Sequence, residues 1–206
     1  MVLSERLATR GNGWHKPLLF TLALLPLALL MTGALQGTLG ANPIEAVIRD
    51  LGDWALRFLL LTLTVTPLRK LSGWRWVGPL RRMLGLFAFF YLCLHILGYV
   101  VLDQFFDWAA IADDILKRPF ITIGMLAFLL LLPLAVTSGQ AMMRRLGGAR
   151  WKRIHRLIYP AAIAGVVHYA LMVKADLREP LIYAALLSLL LGYRLVGARN
   201  KPVQKP

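Results

Sequence analysis

The chain is poor in cysteine, in acidic residues and in every short motif that marks a soluble nucleotide-binding fold. Its one cysteine, Cys93, lies inside an apolar run, which excludes an intrachain disulfide and a thiolate metal cluster and fits a small buried side chain. Ten Asp and Glu stand against 24 Lys and Arg, a formal net charge of +14. No GxGxxG follows a strand, and there is no Walker loop and no CxxCH attachment motif. Neither a bound nicotinamide or nucleoside triphosphate nor covalently attached haem is therefore expected. No Ser/Gly-rich or Pro-rich linker divides the sequence, and its halves show no convincing repeat.

What the chain has is apolar length. Of its 206 residues 58% are hydrophobic, and the mean hydropathy is +0.63, above the usual soluble range. A bilayer crossing takes roughly 20 apolar residues, and such runs fall at 17–36, 54–71, 83–102, 119–138, 157–173 and 180–197. The expectation is an all-α integral membrane protein, a bundle of six transmembrane helices over 17–197, with an N-terminal segment 1–16 and a tail 198–206. The first run, Leu18 to Leu35, is longer than the roughly 7–15 residues of a signal h-region and reads as a retained helix, although Gly40-Ala41-Asn42 imitates a cleavage site. Pro67, Pro133 and Pro160 end or kink their helices. Strong positive charge would suit nucleic acid only on the basic face of a soluble fold. Here the cations sit between apolar runs, so the lipid bilayer is the partner and no nucleic acid is expected.

Charge then orients the bundle. The N-terminus, the 69–82 and 139–156 loops and the tail hold 18 of the 24 basic residues and one acid, Glu5. The alternate loops hold nine acids and six cations, Arg49, Arg57, Lys117, Arg118, Lys174 and Arg178. Lys and Arg accumulate in cytoplasmic loops, so both termini are expected on the cytoplasmic side. The alternation at every turn argues for an even number of spans.

Ionisable groups at membrane depth are costly and mark function. His15 precedes the first span in a polar, basic stretch and reads as solvated. His95 lies 13 residues after Arg82 and His168 12 after Arg156, or about 20 and 18 Å at the α-helical rise. Both helices start on the basic side, so the two imidazoles share a level in the outer half of the bilayer. That arrangement suits bis-histidine ligation of haem within a bundle; the bland alternative is hydrogen bonding between helices. His155, about 20 Å below His168 on the same rise, has no histidine opposite it, and 13 steps turn a straight helix roughly 140° off a common face. Three roles stay open for it: a ligand of a second haem with an unusual or external partner, a contact to another cofactor, or an interfacial side chain.

Arg57, near the outer end of the second span, could neutralise a haem propionate or snorkel. The segment Gly147 to Arg153, with Arg150, Lys152 and Arg153 around Trp151, suits a phosphate-bearing flavin, a quinone head group or anionic lipid, and composition alone favours lipid. Trp14, Trp74, Trp76 and Trp151 read as an interfacial belt.

One histidine on the third span followed by His155-x12-His168 on the fifth resembles the ferric-reductase-like transmembrane family, which includes the NADPH oxidases. Those proteins typically carry two histidines on each of the two helices and a C-terminal flavin/nicotinamide domain; these 206 residues have neither the extra histidine nor that domain. The small branch of MsrQ (formerly YedZ) subunits is more similar, over nearly the full length. The matching stretches are Gly40-Ala41-Asn42-Pro43, Thr64-Val65-Thr66-Pro67-Leu68, Arg81-Arg82-Met83-Leu84-Gly85-Leu86, Thr137-Ser138-Gly139-Gln140-Ala141-Met142, His155-Arg156-Leu157-Ile158-Tyr159 and Pro180-Leu181-Ile182-Tyr183-Ala184. The resemblance implies a bacterial inner-membrane subunit that binds b-type haem (one, with His155 leaving room for a second) and is associated with FMN. It implies electrons drawn from the quinone pool or a cytosolic flavin reductase. It also implies a periplasmic molybdopterin-dependent partner that reduces methionine sulfoxide in oxidised proteins, so that substrate chemistry lies in the partner. The alternatives are a stand-alone ferric or metal reductase-type b-cytochrome and, in a different class, a proton-coupled transporter with the histidines in a proton relay.

Overall fold

The computed structural model describes residues 14–173 and 176–199; the expected N-terminal segment up to residue 13, Lys174 and the tail from residue 200 lie outside the described residues. Eight helices follow in order: α1 His15–Gln36, α2 Pro43–Ser72, α3 Leu80–Gly98, α4 Trp108–Lys117, α5 Pro119–Val136, α6 Gln140–Ile154, α7 Ile158–Met172 and α8 Arg178–Arg199. Short turns of 3-10 helix stand at Arg75–Val77 and His155–Leu157, and α3 ends in a π-helical turn, Tyr99–Asp103. No strand occurs among the described residues.

Local chemistry sets the helix ends. The Asn42 side chain accepts from the Glu45 amide at 3.3 Å and Pro43 occupies the first turn of α2, where its missing N–H costs nothing. Gly37 and Gly73, at φ 67 and 74, close α1 and α2 in the left-handed conformation that a side chain disfavours. Asp107 caps α4 through the Ala110 amide at 3.0 Å. Pro67 lies inside α2 and cannot bond the Leu63 carbonyl four residues back. Arg194 of α8 takes that carbonyl instead. In hydrocarbon no water would serve the freed group, so a proline on one helix is matched by a guanidinium on another.

Five helical stretches are long and apolar enough to cross a membrane: α1, α2, α3 with its flanking turns, α5 and α8 up to Val196. The sixth expected run is divided. Pro160 stands third in α7, and its ring excludes a helix passing straight through Arg156. Residues 155–157 wind as 3-10 helix, and α7 itself has 15 residues. The expected loops contain two further helices. At the acidic end α4 is amphipathic and short, and at the basic end α6 is polar and breaks at Gly147 (φ 73, ψ 154), so hydropathy alone passes over both.

Two antiparallel pairs form the centre. In α2–α3 the Ile48 end meets His95 while Thr62 meets Gly85; in α5–α7 Phe120 meets His168. The pairs face each other, with Phe89 of α3 stacked on Phe128 of α5 at 5.9 Å. On the outside of α3, the buried Tyr91 hydroxyl donates to Ala23 O (2.8 Å) and accepts from Leu27 N (3.2 Å) of α1. It thereby joins two backbone groups that an undisturbed helix bonds to each other.

The two ends differ in charge as expected. All five ion pairs among the described residues lie at the acidic end: Glu45–Arg49, Asp53–Arg57, Asp113–Lys117, Asp114–Arg118 and Asp176–Arg178. At the basic end Trp14, His15 and Trp76 form a stack, with ring centroids 4.2 and 4.6 Å apart. His15, expected to be solvated, is therefore held between two indoles.

Candidate functional site

One cavity of about 730 Å³ opens between the two helix pairs, and His95 and His168 both line it. Its volume falls within the roughly 300–1,000 Å³ usual for small-molecule and cofactor sites. Small residues, Ala55, Ala88, Gly124, Ala127, Ala161 and Gly165, leave the room, and Leu56, Leu59, Leu92 and Leu131 make the walls apolar.

The two imidazole centroids are 6.2 Å apart with their planes at 79°. His95 Nδ1 lies 2.8 Å from Ile48 O, and His168 Nδ1 lies 2.6 Å from Phe120 O. A carbonyl oxygen only accepts, so each Nδ1 carries the proton and donates it. The neutral ring then has its lone pair on Nε2, the nitrogen with which it can bind metal, while the carbonyl fixes orientation and tautomer. An ion bonded to both imidazoles at about 2.0–2.1 Å sets ring centroids about 6.4 Å apart, close to the observed spacing. No third His, Cys, Asp or Glu joins them in a metal-holding group among the described residues. Two imidazoles without a third protein ligand suit a metal whose other positions are filled by its own macrocycle, and the cavity has the apolar walls for one.

Sequence reasoning brought His95 and His168 together, and the structure does too. His155 is elsewhere. It does not line the cavity; it stacks on Trp151 (3.8 Å, 26°), and its Nδ1 lies 3.1 Å from the Trp151 carbonyl in its own helical segment. Arg57 does not line the cavity either: it donates to the Tyr183 hydroxyl (3.0 Å), stands 3.8 Å from Asp53 and covers the Trp54 ring. The cations that line the cavity are Arg49 and Arg118, each paired with an acid four residues back, Glu45 and Asp114; sequence reasoning placed both only as loop charges. At the basic end Lys152, Arg153 and Arg156 line a second hollow of about 440 Å³ with Gly148 and Ala149, and Arg150 is not part of it. Trp151 ties this segment down by donating to Thr137 O at 2.9 Å.

Sequence reasoning missed the carbonyls of Ile48 and Phe120 and the glycines beside them. A glycine inside a helix costs about 1 kcal/mol relative to Ala. Gly52 and Gly124, each within a long helix, carried that signal of close approach.

A helical membrane bundle with two facing imidazoles defines a class that comparison makes specific. The family of ferric reductase like transmembrane components matches residues 51–166. Among curated relatives, the "Protein-methionine-sulfoxide reductase heme-binding subunit MsrQ" of Rhodospirillum rubrum is 62% identical, covering 87% of this chain and 86% of its own length. Proteins of the same name from Azospira oryzae and Herminiimonas arsenicoxydans are 59% and 50% identical, covering 88% and 90% of this chain and 78% and 86% of theirs. The chain belongs to the ferric reductase-like transmembrane family and, within it, to the MsrQ proteins.

Proposed function

We propose that this chain is the membrane electron-transfer subunit of a methionine-sulfoxide reductase system, holding b-type haem between His95 and His168. The observation that carries the reading is the pair of imidazoles in one cavity, 6.2 Å apart, each with Nδ1–H committed to a backbone carbonyl. His95 and His168 would hold the haem iron through their free Nε2 atoms, and the apolar walls would keep water from it. Arg49 and Arg118, which line the cavity, are better placed than Arg57 to meet the cofactor's propionates. Bound there, haem supplies a one-electron redox centre in the outer half of the bilayer.

The finer topology belongs to the same reading. The stretch from His155 to Met172 measures about 28 Å at 3-10 and α rises, close to the roughly 30 Å hydrocarbon thickness, and serves as a sixth span between α5 and α8. Both termini then lie in the cytoplasm of a bacterium and the acidic loops in the periplasm, where a molybdopterin-dependent partner takes the electrons. The donor side is the basic end. The hollow around Lys152, Arg153 and Arg156 has the charge to hold the phosphate of FMN, and quinol or a cytosolic flavin reductase is the source. His155 stands close to this end, as a contact for that second cofactor rather than for the outer haem.

The test is haem quantification on purified protein with an optical and spin-resonance spectrum of the oxidised form. One low-spin haem per chain is expected, and a colourless protein refutes the reading in favour of a transporter. Reporter fusions at Asp113 and Glu179 should read periplasmic and those at Gly73 and Gly148 cytoplasmic; the opposite pattern reverses the direction of electron flow.

A further inference from the structure

We propose that Gly52 and Gly124 are the seats of the two axial imidazoles, positioning residues that permit each ring its carbonyl bond and so hold the rings crossed. The proposal rests on the haem reading above and goes one step further, to what sets ligand geometry.

The same device occurs twice. His95 donates to the carbonyl of Ile48, and four residues on in α2 stands Gly52; His168 donates to the carbonyl of Phe120, and four residues on in α5 stands Gly124. In an α-helix the carbonyl of residue i already accepts from the N–H of residue i+4. A second donor must use the remaining lone pair and come in from the side, across the β-position of residue i+4. Glycine leaves that position empty. A Cβ on Gly52 would lie 3.0 Å from His95 Nδ1 and 3.1 Å from its Cε1; on Gly124 it would lie 2.8 and 3.0 Å from the same atoms of His168. Non-bonded carbon contacts settle near 3.5–4.0 Å, so each ring must give way before a methyl group, slightly beside Gly52 and further beside Gly124. Retreat is limited, because the opposite face of the cavity carries the other imidazole at 6.2 Å. Gly85, also inside a helix, differs: a Cβ there meets only Thr62, at 3.6 Å.

Two consequences follow for the bound metal. The Nδ1–H···O bond raises the basicity of Nε2, so its weakening should move the haem midpoint potential positive. Crossed ring planes, 79° here, let the two imidazoles act equally on both iron dπ orbitals and keep these nearly degenerate. Rotation of one ring lifts the degeneracy and lowers the largest g value of the oxidised low-spin signal.

The experiment compares Gly52→Ala, Gly124→Ala and Gly85→Ala in the full-length solubilised protein, reading haem per chain, midpoint potential and the low-spin g value. Gly124→Ala should shift potential and g value most, with partial loss of low-spin haem; Gly52→Ala, with the milder clash, should shift both less; Gly85→Ala should shift neither. If Gly124→Ala accumulates poorly, Gly52→Ala decides. Wild-type spectrum and potential in both seat variants, or a loss of folded protein with an unaltered spectrum in what remains, overturns the proposal and assigns the glycines to helix packing. Failure of the underlying haem reading looks different: the unsubstituted protein lacks a bis-histidine signal, or His95→Ala and His168→Ala retain it.

Discussion

His155 and His168 lie at the two ends of one helical stretch, yet their surroundings have little in common. His168 reaches 48 residues away in sequence to the Phe120 carbonyl, lines the cavity and faces a second imidazole. His155 turns to the Trp151 carbonyl four residues back and lies against that residue's indole. The 3-10 turn accounts for part of the divergence. Three residues at about 120° instead of 100° reduce the angular offset between the two from roughly 140° to roughly 80°, which still leaves them on different faces. A histidine at membrane depth is set up to hold a metal when a neighbouring helix offers a carbonyl to one ring nitrogen and a second imidazole stands across from the ring. His168 has both; His155 has a local bond and a cation, Arg81, nearby.

The sharpest way to break this comparison is to delete each imidazole. His95→Ala and His168→Ala should each abolish the low-spin haem, a larger effect than the roughly 10–100-fold affinity loss on removing a ligand's outer hydrogen-bond partner. His155→Ala should leave it in place. Pyridine haemochrome content of the three purified variants decides, and equal losses would erase the distinction. Next in size is the basic end's own polar lock. Arg194→Leu leaves the Leu63 carbonyl without a donor and should cost about 2 kcal/mol, within the range for hydrogen bonds to charged groups, in detergent unfolding. Pro67→Ala restores an N–H for that carbonyl and should recover part of the loss in the double variant, a coupling that an unrelated packing defect would not show.

A smaller effect is expected at the inner hollow. Lys152→Glu and Arg153→Glu should each weaken FMN retention by at least about fivefold, on the basis of roughly 1 kcal/mol per basic residue near an anionic group. Arg150→Glu, outside the hollow, should do less; fluorescence of released flavin measures all three, and an equal effect of Arg150→Glu would point to diffuse attraction rather than a site. Smallest is the acidic end's exposed pair. Glu45→Gln, which breaks the contact with Arg49, should change stability by about 0.5 kcal/mol or less. A large drop in thermal midpoint there would mean that the acidic end is held together by its ion pairs and not by its helix packing.

Five of the six expected runs were legible in the sequence because hydropathy is recorded residue by residue along the chain. His95 and His168 were legible through depth alone, since a constant helical rise turns sequence distance from a basic flank into height. The short helices α4 and α6 were not, because their amphipathic or polar composition resembles that of a loop. Nor were the ring partners. Ile48 and Phe120 act through backbone carbonyls, which carry no residue-type signal, at separations of 47 and 48 residues. Gly52 and Gly124 were visible as anomalies without a visible cause. Arg57 looked free for an anion because Tyr183, 126 residues away, does not announce in sequence that it will claim the guanidinium; Asp53, four residues before Arg57, was the readable part of its environment.

The Tyr91 hydroxyl between Ala23 O and Leu27 N has a consequence for the order in which the bundle is made. α1 enters the membrane before α3 has been synthesised, and Pro26 inside it pushes the preceding turn away, so that the Leu27 N–H and the Ala23 carbonyl are then poorly paired. When α3 arrives, its phenol bridges the two groups that the proline keeps apart, so α1 is completed by a helix born later. The joint then works as a latch set at the end of insertion. Amide exchange at Leu27 should report it, slow in the complete chain and faster in a chain truncated before Tyr91.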